Sequence, residues 1–253
     1  MRLIRFSQAD EPPQYGWLRD DHAGPIEGDP FRDYRRLEAA IPIDRIRLLP
    51  PVRPSKIVCI GRNYPAHAAE HGSDVPTAPL LFLKPPSALI GPGDSIRLPP
   101  QSERVEHEAE LVVVIGSMAH RVSTNQAMDH VYGFTLGNDV TARDLQRQDN
   151  QWTRAKGFDT FCPLGPWIET DFNPADAIVT CRVNGELKQM GSTRDMVFDI
   201  PELITYITSV MTLFPGDLIM TGTPSGVSPL AAGDVVEVAI EGLGVLGNPV
   251  AAG

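Results

Sequence analysis

The chain has 253 residues, with 22 basic and 32 acidic side chains, a formal charge of −10, 42% hydrophobic and 21% charged residues. This composition suits a globular protein of one large domain, or a catalytic domain with a small appendage, and argues against nucleic acid or anionic membrane surfaces as partners. No stretch nears the ~20 apolar residues of a membrane span, and three cysteines without metal-ligand spacing suit a reducing, cytoplasmic setting.

Met1–Phe6 lacks the apolar core of a signal peptide and reads as a first strand. Residues 1–50 read as short strands, with turns at Asp20-Asp21 and Gly24-Pro25 and a helical patch over 31–40. The stiff segment Leu49-Pro50-Pro51-Val52-Arg53-Pro54 marks the expected boundary between a small appendage, 1–50, and a main domain, 51–253. Strands follow over 56–60, 80–84, 105–115, 131–139, 178–184 and 217–221, with a last pair across 234–246. Asn184-Gly185 between alternating segments predicts a type I′ hairpin turn. The spacing of Ile200, Leu203, Ile204, Ile207, Val210 and Met211 predicts a helix over 199–213, capped by Asp199 with Glu202 three residues on. Many strands with few helices give a β-rich α+β class.

Glu108 and Glu110 lead into the apolar run Leu111–Ile115. In a strand, residues two apart share a face, so both carboxylates point one way at the mouth of a buried segment. A hard divalent cation would relieve their repulsion; an acid-rich strand end in water explains the pair equally well. Asp139 follows the apolar strand that starts at Val131, in a place fit for a third ligand and equally for a turn. In Gly61-Arg62-Asn63-Tyr64-Pro65-Ala66-His67-Ala68-Ala69-Glu70, Asn63 can cap a short helix that sets His67 and Glu70 on one face. A carboxylate that orients an imidazole makes a general base, although solvated surface pairs share this spacing. Only four of the basic residues are lysines, which singles out Lys156 as a cation for an anionic substrate or a developing enolate; a surface pair with Arg154 is the simpler reading. Thr221-Gly222-Thr223-Pro224 after a strand can offer backbone N–H groups to an anion, without Walker-loop spacing.

Taken in order, the strings GRNYPAHAAEHG, LFLKPPSALIGPGD, HEAELVVVIG, GFTLGNDVTARDLQ, AKGFDTFCPLGP, VNGELKQ and PGDLIMTGTPSGV resemble the fumarylacetoacetate hydrolase family over roughly residues 55–250. The resemblance implies a mixed β-roll and a homodimer. It implies Mg²⁺ or Mn²⁺ held by Glu108, Glu110 and Asp139, and a water-activating pair, His67 and Glu70, on a mobile lid. It makes Lys156 the active-site lysine, and Arg62, Tyr64, Arg143, Gln146, Thr221, Gly222 and Thr223 the substrate-binding residues. Residues 1–50 are too short for the N-terminal domain of true fumarylacetoacetases, so the chain looks more like the smaller acylpyruvate hydrolases, oxaloacetate decarboxylases and hydroxymuconate isomerases. The expected activity is metal-dependent hydrolysis of a C–C bond in 2,4-dioxo acids, through a pyruvate enolate held by the metal. The alternatives on the same site are isomerisation of 2-hydroxyhepta-2,4-diene-1,7-dioate or 5-carboxymethyl-2-hydroxymuconate, and decarboxylation of oxaloacetate. Substrate-tail specificity falls to the lid and to loops near 72–79 and 145–155.

Overall fold

The run Leu111-Val112-Val113-Val114-Ile115 is continuous rather than alternating because its strand, Ala109–Ile115, is buried on both faces. Leu111, Val113 and Ile115 pack towards Val179, Val236 and Val238 of a second sheet and Leu203 and Ile207 of a helix. Val112 and Val114 face the other way, onto Ile57, Cys59, Leu164, Leu218 and Met220.

The computed structural model describes residues 1–8 and 11–253. Its long mixed sheet runs, in spatial order, Tyr34–Arg36, His22–Gly28, Gln14–Arg19, Arg2–Ser7, Cys162–Glu169, Val131–Asn138, Ala109–Ile115, Leu218–Met220, Ile57–Gly61 and Leu80–Lys84. The second sheet has five strands and lies across the first core: Ile96–Leu98, Gly244–Ala252, Val235–Ile240, Ile178–Val183 and Glu186–Ser192. This is the strand-rich α+β architecture expected. The N-terminal strands belong to the long sheet itself, because Arg2 and Leu3 pair with Glu169 and Ile168.

The amphipathic helix forms over Ile200–Val210. Asp199 accepts from the Glu202 N–H, and the Glu202 carboxylate accepts from the Asp199 N–H, a reciprocal capping box. Asn184 and Gly185 take φ of 52° and 81°, as a type I′ turn requires. Asp20, at φ 54°, turns the hairpin of Gln14–Arg19 and His22–Gly28.

Three local expectations are corrected. Residues 31–40 hold an edge strand, Tyr34–Arg36, and no helix; its exposed residues offer no apolar stripe to bury, and pairing with Ile26–Gly28 satisfies the backbone instead. Gly24-Pro25 lies inside the strand His22–Gly28, where Pro25 has no N–H to give and its carbonyl accepts from Leu37. Asn63 does not cap the helix Pro65–Glu70. Its buried amide donates to the carbonyls of Phe198 and Thr221 and accepts from the Phe198 N–H, tying three segments together.

Candidate metal centre and active site

Glu108 is not in regular strand. Pairing stops at Glu106 and resumes at Ala109, and Glu108 is pinned in the gap: its N–H donates to the Asn138 side chain and its carbonyl accepts from Asp139 N–H, both at 2.9 Å. The carboxylates of Glu108 and Glu110 still converge. With Asp139 they form a buried trio whose ligand atoms all lie within 4.8 Å of one another.

Buried carboxylates need compensation. Lys84 Nζ donates to Asp139 Oδ1 at 2.5 Å, and Lys156 Nζ bridges Asp139 Oδ2 and Glu108 Oε2 at 2.7 and 2.8 Å. Arg143 spans Glu106 and Glu108, with contacts of 2.7 and 2.6 Å, and also donates to Gln146. Burial opposes ionisation of Glu108, but Lys156 and Arg143 outweigh it and hold its carboxyl well below the usual range.

Glu110 differs. Among the described residues its carboxylate forms no salt bridge; its one hydrogen bond comes from the Gly222 N–H at 2.8 Å. Burial, then the charges of Asp139 and Glu108, push its carboxyl well above the usual range, with Gly222 only partly offsetting them. Gly222 stands at φ +100°, and a β-carbon there would meet Asn63 Cβ at 2.8 Å, so only glycine brings that N–H to Glu110. An all-oxygen trio with one carboxylate lacking a cation matches the chemistry of Mg²⁺ or Mn²⁺. A divalent ion would offset the negative charge that burial, Asp139 and Glu108 disfavour on Glu110.

The helix Pro65–Glu70 places His67 and Glu70 together, with Nδ1 to Oε2 at 3.4 Å. Gly226 N–H also donates to Glu70, at 3.2 and 3.3 Å to its two oxygens. Burial lowers the His67 pKa, aided by Arg143 and Lys156 and opposed by Glu108 and Glu70. The ring is therefore neutral at pH 7 and has a lone pair to use. It shares a cavity of about 300 Å³ with Glu108, Glu110, Arg143, Lys156 and Arg62. Arg62 itself sits at φ 58°, an uncommon conformation for a side-chain-bearing residue.

Of the other expected substrate-binding residues, Gln146 and Thr223 line this cavity, while Tyr64, Thr221 and Gly222 do not. Tyr64 is buried with its hydroxyl unpartnered. The Thr221 hydroxyl donates to the Leu111 carbonyl, and the Gly222 N–H is engaged by Glu110. Sequence reasoning missed Lys84, although it ends the string LFLK and the scarcity of lysine applied to it equally. It also missed Glu106, and Gln189, whose buried amide joins His107, the Ala109 N–H, Thr223 and the Pro224 carbonyl. No spacing pattern marks a contact 80 residues away in sequence.

The fumarylacetoacetate (FAA) hydrolase C-terminal family matches residues 56–251, and the chain belongs to it; an Rv2993c-like N-terminal family matches residues 1–51. Protein Rv2993c of Mycobacterium tuberculosis is 52% identical over 83% of this chain and 80% of its own. A mitochondrial oxaloacetate tautomerase of Bos taurus is 47% identical over 83% of this chain and 71% of its own. A crystal structure of 2-hydroxyhepta-2,4-diene-1,7-dioate isomerase from Mycobacterium marinum superposes with a TM-score of 0.92 at 44% identity, covering 100% of this chain and 98% of that one.

Proposed function

We propose that the protein is a divalent-metal-dependent enzyme that moves a proton at C3 of a 2-oxo acid, interconverting the keto and enol forms of an oxaloacetate-type substrate. The observation that carries this reading is a neutral, buried His67 opening onto the same cavity as the three carboxylates. The likeness to an oxaloacetate tautomerase and to a dienoate isomerase supports proton transfer as the shared step.

Glu108, Glu110 and Asp139 would hold Mg²⁺ or Mn²⁺, which when bound supplies Lewis-acid polarisation of the 2-oxo group. The chain's own residues do the rest. Lys84, Lys156 and Arg143 fix the orientation of Asp139 and Glu108. His67 takes the proton from C3 and delivers it to the 2-oxo oxygen, as the C–H electron pair becomes the C2=C3 double bond of the enol, and the reverse transfer restores the keto form; Glu70 orients the ring. Arg62 at the cavity wall attracts an anionic substrate. The protein is further taken to act as a homodimer.

Hydrolysis of the C3–C4 bond of a 2,4-dioxo acid is the second reading. At about 300 Å³ the cavity has room for a tail and an attacking water, which the same His67–Glu70 pair can deprotonate. One assay separates the two readings: oxaloacetate tautomerisation and acetylpyruvate cleavage measured side by side with Mg²⁺ or Mn²⁺. Faster keto–enol exchange without pyruvate release supports the first reading. Pyruvate release from acetylpyruvate moves the reaction to the second. Silence on both, with or without metal, overturns both.

A further inference from the structure

We propose that a second cation site, suited to a zinc-type ion, lies on the helix Pro65–Glu70 and the residue that follows it, formed by His67, Glu70 and His71. The three residues stand at i, i+3 and i+4, which puts them on one face. One ligand atom from each lies within 4.8 Å of the others. Nδ1 of His67 and Oε2 of Glu70 are 3.4 Å apart. A tetrahedral ion with ligands at about 2.0–2.1 Å has ligand–ligand edges of about 3.4 Å. Independently, Nε2 of His71 is a buried nitrogen without a hydrogen-bond partner among the described residues. Its ring meets that of His67 edge-on, centroid to centroid 4.7 Å.

Donor chemistry separates this site from the carboxylate centre. Three carboxylates suit hard cations, whereas two imidazoles and one carboxylate form a donor set used for Zn²⁺, with a fourth position open. Among the described residues Glu70 is held otherwise only by the long contacts from Gly226, so it can turn onto an ion. The site rests on geometry alone. Its consequence rests on the function proposed above: an ion that takes the lone pair of His67 removes the base, so zinc would switch the enzyme off without displacing the metal below.

The test uses Co²⁺ as a spectroscopic stand-in for Zn²⁺, titrated into the whole protein saturated with Mg²⁺. Imidazole-bearing, four- or five-coordinate Co²⁺ absorbs far more strongly in the visible than Co²⁺ among six oxygens. One strongly absorbing equivalent is expected in the wild type and in Glu108→Ala, and none in His71→Ala or His71→Gln. Equilibrium dialysis with Zn²⁺ should follow the same order. Equal binding by the His71 variants, or no strong band in the wild type, overturns the site. If the ion binds as expected, Zn²⁺ should slow the wild type about 100-fold, the contribution of a general base. Binding without slowing upholds the site and overturns His67 as the base. Absence of binding leaves that base assignment untouched.

Discussion

The carboxylate centre and the His67 helix face each other across one cavity but are built in opposite ways. Glu110 lies in the strand Ala109–Ile115, Glu108 just before it and Asp139 just after Val131–Asn138, and Glu108 and Asp139 are braced by buried Lys84, Lys156 and Arg143 at 2.5–2.8 Å. His67 and Glu70 come from one six-residue helix and are held by contacts of 3.2–3.4 Å. The first region is rigid because every displacement would strand a buried charge. The second is held by fewer and longer contacts, and Glu70 is exposed to solvent. The difference teaches that buried charges demand closely placed partners, whereas a pair at the surface of the cavity does not.

The largest effect should come from breaking the rigid side. Glu108→Ala takes from Lys156 one of its two carboxylate partners, leaving Asp139, and from Arg143 one of its two, leaving Glu106, so stability should fall by about 3 kcal/mol and metal-dependent turnover should vanish. Urea unfolding with and without Mg²⁺ checks both, and an unchanged midpoint would contradict the bracing. On the more loosely held side, His67→Ala should cut turnover about 10²–10⁴-fold while shifting stability by less than ~1 kcal/mol. Comparable losses of stability in the two variants would erase the distinction between the regions.

Glu110→Gln sharpens the comparison further. Burial and the charges of Asp139 and Glu108 disfavour ionisation of Glu110 in the metal-free protein, so the neutral amide should cost no more than ~1 kcal/mol. The metal-induced stabilisation, about 2.7 kcal/mol at a hundredfold excess over Kd, should disappear. Thermal unfolding of both forms with Mn²⁺ reads this directly.

The smallest effects concern protons. The folded pKa of Glu110 is raised, so in the metal-free protein its contribution to stability is present at low pH and is lost as pH rises through the folded value. Metal binding should therefore release protons at any pH where Glu110 is still protonated, seen by calorimetry in buffers of different ionisation enthalpy. For His67 the sign is reversed. Its folded pKa is depressed, so the folded state loses stability as pH falls below the unfolded value near 6.5. Turnover should stay on its plateau below that pH until His67 itself titrates, which a pH–rate profile tests.

Local chemistry made much of this legible in advance. The capping box of Asp199 and Glu202, the Asn184-Gly185 turn and the His67–Glu70 spacing each depend on residues only a few positions apart. The run Leu111–Ile115 announced a buried strand, and the acids beside it allowed a cation-binding pair, which the family resemblance extended to Asp139. Errors arose where neighbours in space overrode local preference. Gly24-Pro25 was drawn into a strand by its partner Gln14–Arg19, and Asn63 was taken from the helix end by Phe198 and Thr221.

By itself the sequence determined the strand-rich class, the apolar spine of the long sheet and the residue types that can bind a hard cation and move a proton. Those follow from periodicity and side-chain chemistry, which are carried locally along the chain. Only the tertiary structure decided that Lys84 joins Lys156 on Asp139, that Arg143 is engaged by Glu106 and Glu108, and that Glu110 alone of the trio lacks a cation. The physical reason is that charge compensation in a buried site is set by distance through space, and the strands that bring these groups together lie tens of residues apart in sequence.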